Sequence, residues 1–343
     1  MSMRLRARLE RHLNSIWYDD HATPPLIYRG LERIHLGLNK KRFDRPQGRP
    51  PKPVIVVGNL CAGGSGKTPT VIALINALKA DYRVAVISRG YGGRAPGYPF
   101  EVAPDSRVED SGDEALLIRR ATGVPVWVDP QRARALHQAI TRSRADVVIS
   151  DDGLQHRQLP RSFEICLFDG QRGVGNGHLL PAGPLRQPID RLDSVDAVLI
   201  KGQPLNDGKA RKLDRPDPVY FELAPTGFRA PDGQLDTDLA AWAGRSVVAI
   251  CALANPQQFR STLESIGLNV ELHAFSDHHR YTESEMARFN EQSTGQPIFV
   301  TTAKDATKLE PWVKKLDLHV LEVAAVLPPS LITQLRRHIS GFS

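Results

Sequence analysis

Gly63-Gly64-Ser65-Gly66-Lys67-Thr68 stands between an apolar segment, VIVVGN (54–59), and an apolar helical pattern, TPTVIALINALKA (68–80). Glycines there let backbone N–H groups close on phosphate oxygens, and the helix N-terminus adds its dipole. Lys67 would reach the β- and γ-phosphates and Thr68 would ligate Mg²⁺. The usual eight-residue pattern opens with glycine, whereas this one opens with Cys61-Ala62. The nucleotide-binding expectation therefore covers Cys61, Ala62, Gly63, Gly64, Ser65, Gly66, Lys67 and Thr68, with a departure at its first position. Asp151-Asp152 closes a second apolar segment, and in a nucleotide-binding sheet an acid at a strand end holds Mg²⁺. Alone, Asp-Asp-Gly also suits a tight turn. Gln155 and His156 follow in the same loop.

Two further groups offer proton chemistry. Asp113 and Glu114 precede ALLIRRA (115–121). Asp113 reads either as a helix cap or as the carboxylate that takes a proton from an attacking hydroxyl. Asp277-His278-His279-Arg280-Tyr281 presents two imidazoles, but no other His or Cys stands at zinc spacing. A proton relay, a substrate contact and a solvated loop stay open for it. Thr282 and Glu285 have the spacing of a capping box. GNGHLLPAGPLR (175–186) is too rich in Gly and Pro for a regular element; it reads as a rigid wall with Arg186 available to an anion. SRGYGGR (88–94) adds two arginines and an aromatic at a strand end.

These groups need a scaffold that brings strand ends together. Strand patterns recur at 54–59, 82–90, 124–129, 145–153, 163–170 and 196–202, and helical ones at 68–80, 114–122 and 131–143. Such alternation predicts an α/β fold with a P-loop NTPase-like, doubly wound parallel sheet. Its ligands sit at the carboxyl ends of the strands. Past a Pro- and Gly-rich stretch (216–232), strands at 246–253, 269–275, 297–302 and 319–323 and helices at 256–266 and 282–292 predict a second, smaller α/β lobe. The expected division is 1–52, 53–222 and 223–343.

The 343 residues are enough for two cores. Three scattered cysteines, Cys61, Cys166 and Cys251, give no disulfide framework. No run of roughly 18 apolar residues marks a transmembrane helix, and no signal peptide is expected. Residues 1–52 carry 12 Lys and Arg against 5 Asp and Glu, the whole net charge of +7. That block implies an anionic partner. Leu5, Leu9, Leu13 and Ile16, beside Trp17, share a helix face, as do Ile27, Leu31, Ile34 and Leu38. Basic amphipathic helices suit a membrane interface; packing on the protein's own core is the alternative. Nothing resembles a nucleic-acid recognition module, so no nucleic acid is expected.

The motifs VGNLCAGGSGKTP (57–69), SRGYGG (88–93), GDEALL (112–117), SDDGLQH (150–156), GNGHLLPAGPLR (175–186), DHHRY (277–281) and TTAKDATKL (301–309) together closely resemble the tetraacyldisaccharide 4′-kinases, in that family's order and over most of the chain. A non-glycine residue at Cys61 is normal for that family. The resemblance implies transfer of the γ-phosphoryl of ATP, with Mg²⁺, to the 4′-hydroxyl of an acylated glucosamine disaccharide 1-phosphate. That is a late step of lipid A biosynthesis, at the cytoplasmic face of the bacterial inner membrane. It implies Lys67 and Thr68 in the phosphate loop, with Asp113 as base and His278 or His279 as its partner. Thr68, Glu114, Asp151 and Asp152 would serve the metal. Arg89, Tyr91, Gln155, His156, Asn176 and Arg186 would face the acceptor side. A P-loop GTPase or metal-insertion ATPase would need a guanine-reading motif or Cys/His ligands, which the sequence lacks. A nucleotide-dependent, membrane-associated regulator would leave Asp113 and the Asp-His-His loop without work.

Overall fold

The computed structural model describes residue 9 and residues 12–19, 22–39, 48–202, 218–292 and 297–342. Leu5, Arg4, Arg6, Arg8, Arg11 and the run Lys40-Lys41-Arg42 lie outside the described residues. The strands are β1 (Val54–Gly58), β2 (Val84–Ser88), β3 (Phe100–Glu101), β4 (Val126–Val128), β5 (Val147–Asp151), β6 (Phe163–Asp169), β7 (Ala197–Lys201) and β8 (Val219–Arg229). Then come β9 (Leu235–Asp236), β10 (Ser246–Cys251), β11 (Asn269–Ala274), β12 (Ile298–Thr302) and β13 (Leu318–Val326). In space they run β11-β10-β12-β13-β8-β7-β6-β1-β5-β2-β4-β3, with β9 on β8.

From β8 through β7, β6, β1, β5 and β2 to β4 every pair is parallel. A parallel sheet is covered on both faces, so its strands read as continuous apolar runs. Every residue of β1, β2, β5 and β6 is buried. On one face α2 (Lys67–Leu78) and α3 (Asp113–Thr122) pack Val71, Leu74, Leu116 and Ile118 over Ile55 and Val57. The other face takes Ala135, Leu136 and Ala139 of α4 (Arg132–Thr141) over Val54 and Val56. The expected doubly wound sheet is present, with its carboxyl ends turned to one cleft.

The second half folds around Phe228, Trp242, Val247, Phe259 and Leu263 on one side and Ile250, Met286, Phe299 and Leu309 on the other. Its helices are α5 (Pro256–Ser265), α6 (Glu283–Gln292) and α7 (Ala303–Leu309). The two halves share strand β8, which pairs with β7 in parallel and with β13 antiparallel. Residue 222 lies inside that strand. The sequence pattern missed β8 because Pro225 and Gly227 read as a turn. The ladder shifts register opposite them, between Glu322 and Val323, and a bulge tolerates both residues. The pattern also missed α8 (Pro329–Ser340), which returns Leu331, Leu335 and Ile339 to the core of the first half.

At the N-terminus the first apolar stripe is split: Ile16 and the neighbouring Trp17 are buried against the body, Leu13 is half-buried and Leu9 is exposed. By contrast, α1 (Leu26–Asn39) turns Ile27, Leu31, Ile34 and Leu38 outward together with Leu26. Its Glu32 faces inward, accepting from the backbone N–H of Leu179 at 2.7 Å and pairing with His178 Nδ1 at 3.1 Å. Among the described residues no helix is long and apolar enough to cross a membrane.

Candidate active site

Gly66 caps α2 in a left-handed conformation, φ +82°, and no side chain caps that helix. Its first N–H groups are therefore open to a ligand at the end where the helix dipole favours anions. Lys67 bends back over the loop: Nζ donates to Asn59 Oδ1 at 3.2 Å and lies 3.8 Å from Asp152 Oδ1. Asn59 in turn donates to the carbonyl of Gly63 at 3.3 Å. The side chains of Cys61 and Ala62 take no part in the cleft. Their backbone is stitched to the Gly/Pro loop instead, with the Ala62 N–H donating to Pro184 O at 2.7 Å and Cys61 bridging Leu185.

The acids at the end of β5 are treated differently by their surroundings. Asp152 sits at φ +47° and takes Arg186 at 3.1 Å. Burial pushes its carboxyl up, but Lys67 and Arg186 outweigh that and the net shift is downward. Asp151 is buried, accepts weakly from Ser88 Oγ at 3.4 Å, and among the described residues leaves Oδ1 with no hydrogen-bond partner. Burial, then the charges of Glu114 and Asp152, push its carboxyl up to about 7. An orphaned oxygen on a crowded carboxylate fits a divalent cation. Among the described residues no three acidic, His or Cys side chains form a closed metal site. Mg²⁺ does not require one, since it takes one or two carboxylates, waters and substrate phosphates.

Asp113 is the first residue of α3, and Gly112 occupies the cap position. Gly112 has φ +82°, and a Cβ there would lie 2.5 Å from Tyr91 O. Only glycine lets the 88–93 loop close on the start of α3, and that closure sets Tyr91 against His278, ring centroids 4.8 Å apart. His278 Nδ1 is 3.1 Å from Asp113 Oδ2. His278 itself has φ +58°, an uncommon backbone for a non-glycine residue that is found in excess at functional positions. Its neighbour points elsewhere: His279 is buried, stacks on Phe275 at 4.6 Å and bonds Glu285 at 3.0 Å. Of the two imidazoles, His278 is the one brought to Asp113.

Two lysines that the sequence reading left without a role complete the cluster. Lys304 Nζ donates to Glu114 Oε1 at 3.1 Å and lies 3.9 Å from Asp113 Oδ2 and 3.7 Å from Asp277. Lys308 Nζ is 3.5 Å from Asp113 Oδ2 and 2.9 Å from Asp305. Burial would raise the Asp113 carboxyl; the hydrogen bond from His278 and the charges of Lys304, His278 and Lys308 hold it well below the usual carboxylate range. It therefore stays ionised at neutral pH. The two lysines lie in TTAKDATKL, and nothing local in that stretch signals a partner so far away along the chain.

Lys67, Thr68, Arg89, Tyr91, Glu114, Asp151, Asp152, Gln155, His156, Arg186 and His278 line one cleft of about 1300 Å³. That exceeds the room one small ligand needs. Gln155 donates to the carbonyl of Asn59 at 2.8 Å, and His156 lies 3.4 Å from Pro130 O. Asn176 is not in the lining. Its amide donates to Ala182 O at 2.9 Å and Ile16 O at 3.3 Å, and its Oδ1 accepts from His178 N at 3.1 Å, so it shapes the Gly/Pro loop. Two buried cations also escaped the sequence reading. Arg132 donates to the carbonyl of Asp151 at 3.2 Å. Lys201 bridges Asp169 and Gln258, each at 2.7 Å, beside the phosphate loop.

A glycine-rich loop at a helix N-terminus, facing carboxylates at the end of a parallel strand, defines a nucleotide-dependent phosphotransferase of the P-loop class. Residues 25–340 match the profile of the tetraacyldisaccharide-1-P 4′-kinases. A tetraacyldisaccharide 4′-kinase of Pseudomonas aeruginosa (strain LESB58) is 40% identical over 329 residues, 93% of this chain and 94% of its own. One from Alcanivorax borkumensis is 43% identical over 296 residues, 86% of each chain. A crystal structure of LpxK from Aquifex aeolicus, in complex with ATP, superposes with a TM-score of 0.68 at 27% identity, covering 92% of this chain and 96% of that one. The chain belongs to this family, the ATP-dependent tetraacyldisaccharide 4′-kinases of lipid A synthesis.

Proposed function

We propose that ATP lies along Gly63–Thr68 with its terminal phosphate toward Lys67 and Arg186, and that Asp113 takes the proton of the acceptor's 4′-hydroxyl. The observation that carries this is the Asp113–His278 pair, formed between the two halves: His278 lines the cleft that the phosphate loop also lines, and Asp113, buried and outside that lining, is bonded to it. Phosphoryl transfer asks mainly for positioning and charge neutralisation. Lys67 neutralises charge on the phosphates, and Arg186, held by Asp152, extends that field. His278 orients the Asp113 carboxylate, which receives the proton as the phosphoryl group moves. Thr68 and Asp151 would hold Mg²⁺, with Glu114 and Asp152 beside them; the ion would withdraw charge from the transferring group. Arg89 and Tyr91, exposed on the cleft wall, are assigned to the acceptor. In this scheme residues 53–222 hold the nucleotide and residues 223–343 supply His278, Lys304 and Lys308. The test is turnover of ATP with and without tetraacyldisaccharide 1-phosphate. Phosphate should appear on the 4′-hydroxyl, with little hydrolysis in the acceptor's absence. Brisk hydrolysis indifferent to the acceptor would favour a plain ATPase.

The acceptor's acyl chains imply a lipid surface, and the exposed face of α1 supports peripheral docking on the cytoplasmic side of the inner membrane. Reversing Arg4, Arg6, Arg8 and Arg11 to Glu should weaken binding to anionic vesicles, at ~1 kcal/mol per basic residue near the leaflet. The difference should fade with added salt, which screens surface charge. Burial of Leu26, Ile27 and Ile34 should persist. Co-sedimentation across a salt series measures this, and equal binding of both proteins at low salt would remove the basic segment from the docking reaction.

A further inference from the structure

The N-terminal segment does more than lie beside the body: it touches the phosphate loop. Residues 12–17 are helical, and Trp17 is set into the Gly/Pro loop. Its indole N–H donates to Pro181 O at 3.0 Å and its carbonyl accepts from Asn176 N at 2.8 Å. The fit is close, since a Cβ on Gly175 would lie 2.5 Å from Trp17 O. The next residue, Tyr18, reaches past this seat, and its hydroxyl donates to the carbonyl of Ala62 at 3.3 Å. The Arg172 guanidinium lies over the Tyr18 ring, 4.8 Å from its centroid. Arg172 itself reaches Ala254 O at 3.4 Å in the other half, and its Nη1 would lie 3.4 Å from a Cβ on Gly63.

On this side the loop is also held by Asn59, whose amide donates to Gly63 O at 3.3 Å, and by Cys61, whose Sγ donates to Gly173 O at 3.6 Å. Gly63 and Gly66 have φ of +112° and +82° and carry no side chain that could pack. On its other flank the 184–186 segment pins it, through Ala62 N to Pro184 O and Arg186 N to Leu60 O at 2.6 Å. The two peptide groups flanking Ala62 are thus each held, the N–H of the first by the Gly/Pro loop and the carbonyl of the second by Tyr18. Backbone donors stabilise transferring phosphates only when they are already aimed.

We propose that Tyr18 is a positioning residue of the phosphate loop, so that the N-terminal segment belongs to the nucleotide site as well as to the membrane-facing surface. The proposal rests on the assignment of residues 61–68 as the phosphate loop. The same Gly/Pro loop that seats Trp17 also takes Glu32 of α1, whose outer face is apolar. One strap therefore joins the lipid-facing helix to the loop that holds phosphates.

The test uses full-length Tyr18→Phe and Tyr18→Leu with ATP and a short-chain, water-soluble disaccharide acceptor, in the absence of vesicles. A non-hydrolysable ATP analogue gives affinity directly by calorimetry. Loss of one hydrogen bond to the loop should weaken nucleotide binding about three- to tenfold in Tyr18→Phe, and further in Tyr18→Leu. KM for the acceptor and co-sedimentation with anionic vesicles should be unchanged. Nucleotide affinity within twofold of wild type in Tyr18→Phe, with only the thermal midpoint lowered, would reduce Tyr18 to packing and overturn the proposal. Tyr18→Phe keeps the ring and the Arg172 contact, so it reports even if Tyr18→Leu fails to fold. Lys67→Ala serves as the control for the loop itself: a defect there with none in the Tyr18 variants overturns the positioning role alone.

Discussion

Asp113→Ala is expected to lower turnover by about 10²–10⁴ while leaving ATP affinity close to wild type. A general base acts on the acceptor hydroxyl in the transition state, and its removal typically costs that much. Asp113 is nearly buried, bonded to His278 and flanked by Lys304 and Lys308. Its carboxylate therefore stays ionised well into acid, and its contribution to stability is present above the ordinary carboxylate pKa and lost only as pH falls through its depressed value. Removing it takes a carboxylate neighbour from both Lys304 and Lys308, so a loss of stability is expected beside the loss of rate. Asp113→Asn separates the two, because it keeps the shape and the acceptor for Glu114 N–H but not the charge. Both variants should be slow at temperatures where both are folded. A folded Asp113→Asn enzyme that turns over at the wild-type rate would leave Asp113 a purely structural residue.

Lys67→Ala is expected to lose about 10²–10³ in turnover, the effect of deleting one preorganised electrostatic donor. The side chain bridges Asn59 and Asp152 at the mouth of α2, and no apolar core depends on it. Asp152 keeps Arg186 as a partner when Lys67 is gone, so the fold should survive, as circular dichroism and the thermal midpoint would report. Near-normal rates in the folded variant would remove Lys67 from the phosphate site.

The phosphate loop was legible because its signal is local: glycines, lysine and threonine in order, between a buried strand and a helix. The parallel sheet was legible for the same reason, through continuous apolar runs. The acid cluster was only half legible. Asp113 and Glu114 could be named, but Lys304 is 190 positions from Glu114 along the chain, and no periodicity links residues so far apart. Two adjacent histidines could not be told apart by type. The backbone decides between them, turning His278 to Asp113 and leaving His279 against Phe275. Asn176, expected on the acceptor side, is consumed by carbonyls of its own loop and of Ile16, a competition for hydrogen bonds that only the folded loop defines. Strand β8 was hidden by Pro225 and Gly227, whose turn chemistry is absorbed by a bulge.

The return of α8 to the first half bears on how the protein is made. Leu331, Leu335 and Ile339 are buried with Val71, Leu74, Leu78 and Ile55, yet ribosomes add them only after the whole second half has been synthesised. Until then one face of the nucleotide sheet is missing part of its cover, and β8 has no β13 to pair with. Translation alone therefore does not finish the first half as an independent unit ahead of the second, the usual order for separable domains. Until residues 329–340 have emerged, the growing chain carries an apolar face of its phosphate-binding sheet without part of its cover, transiently exposed surface of the kind that makes incompletely folded chains prone to aggregate.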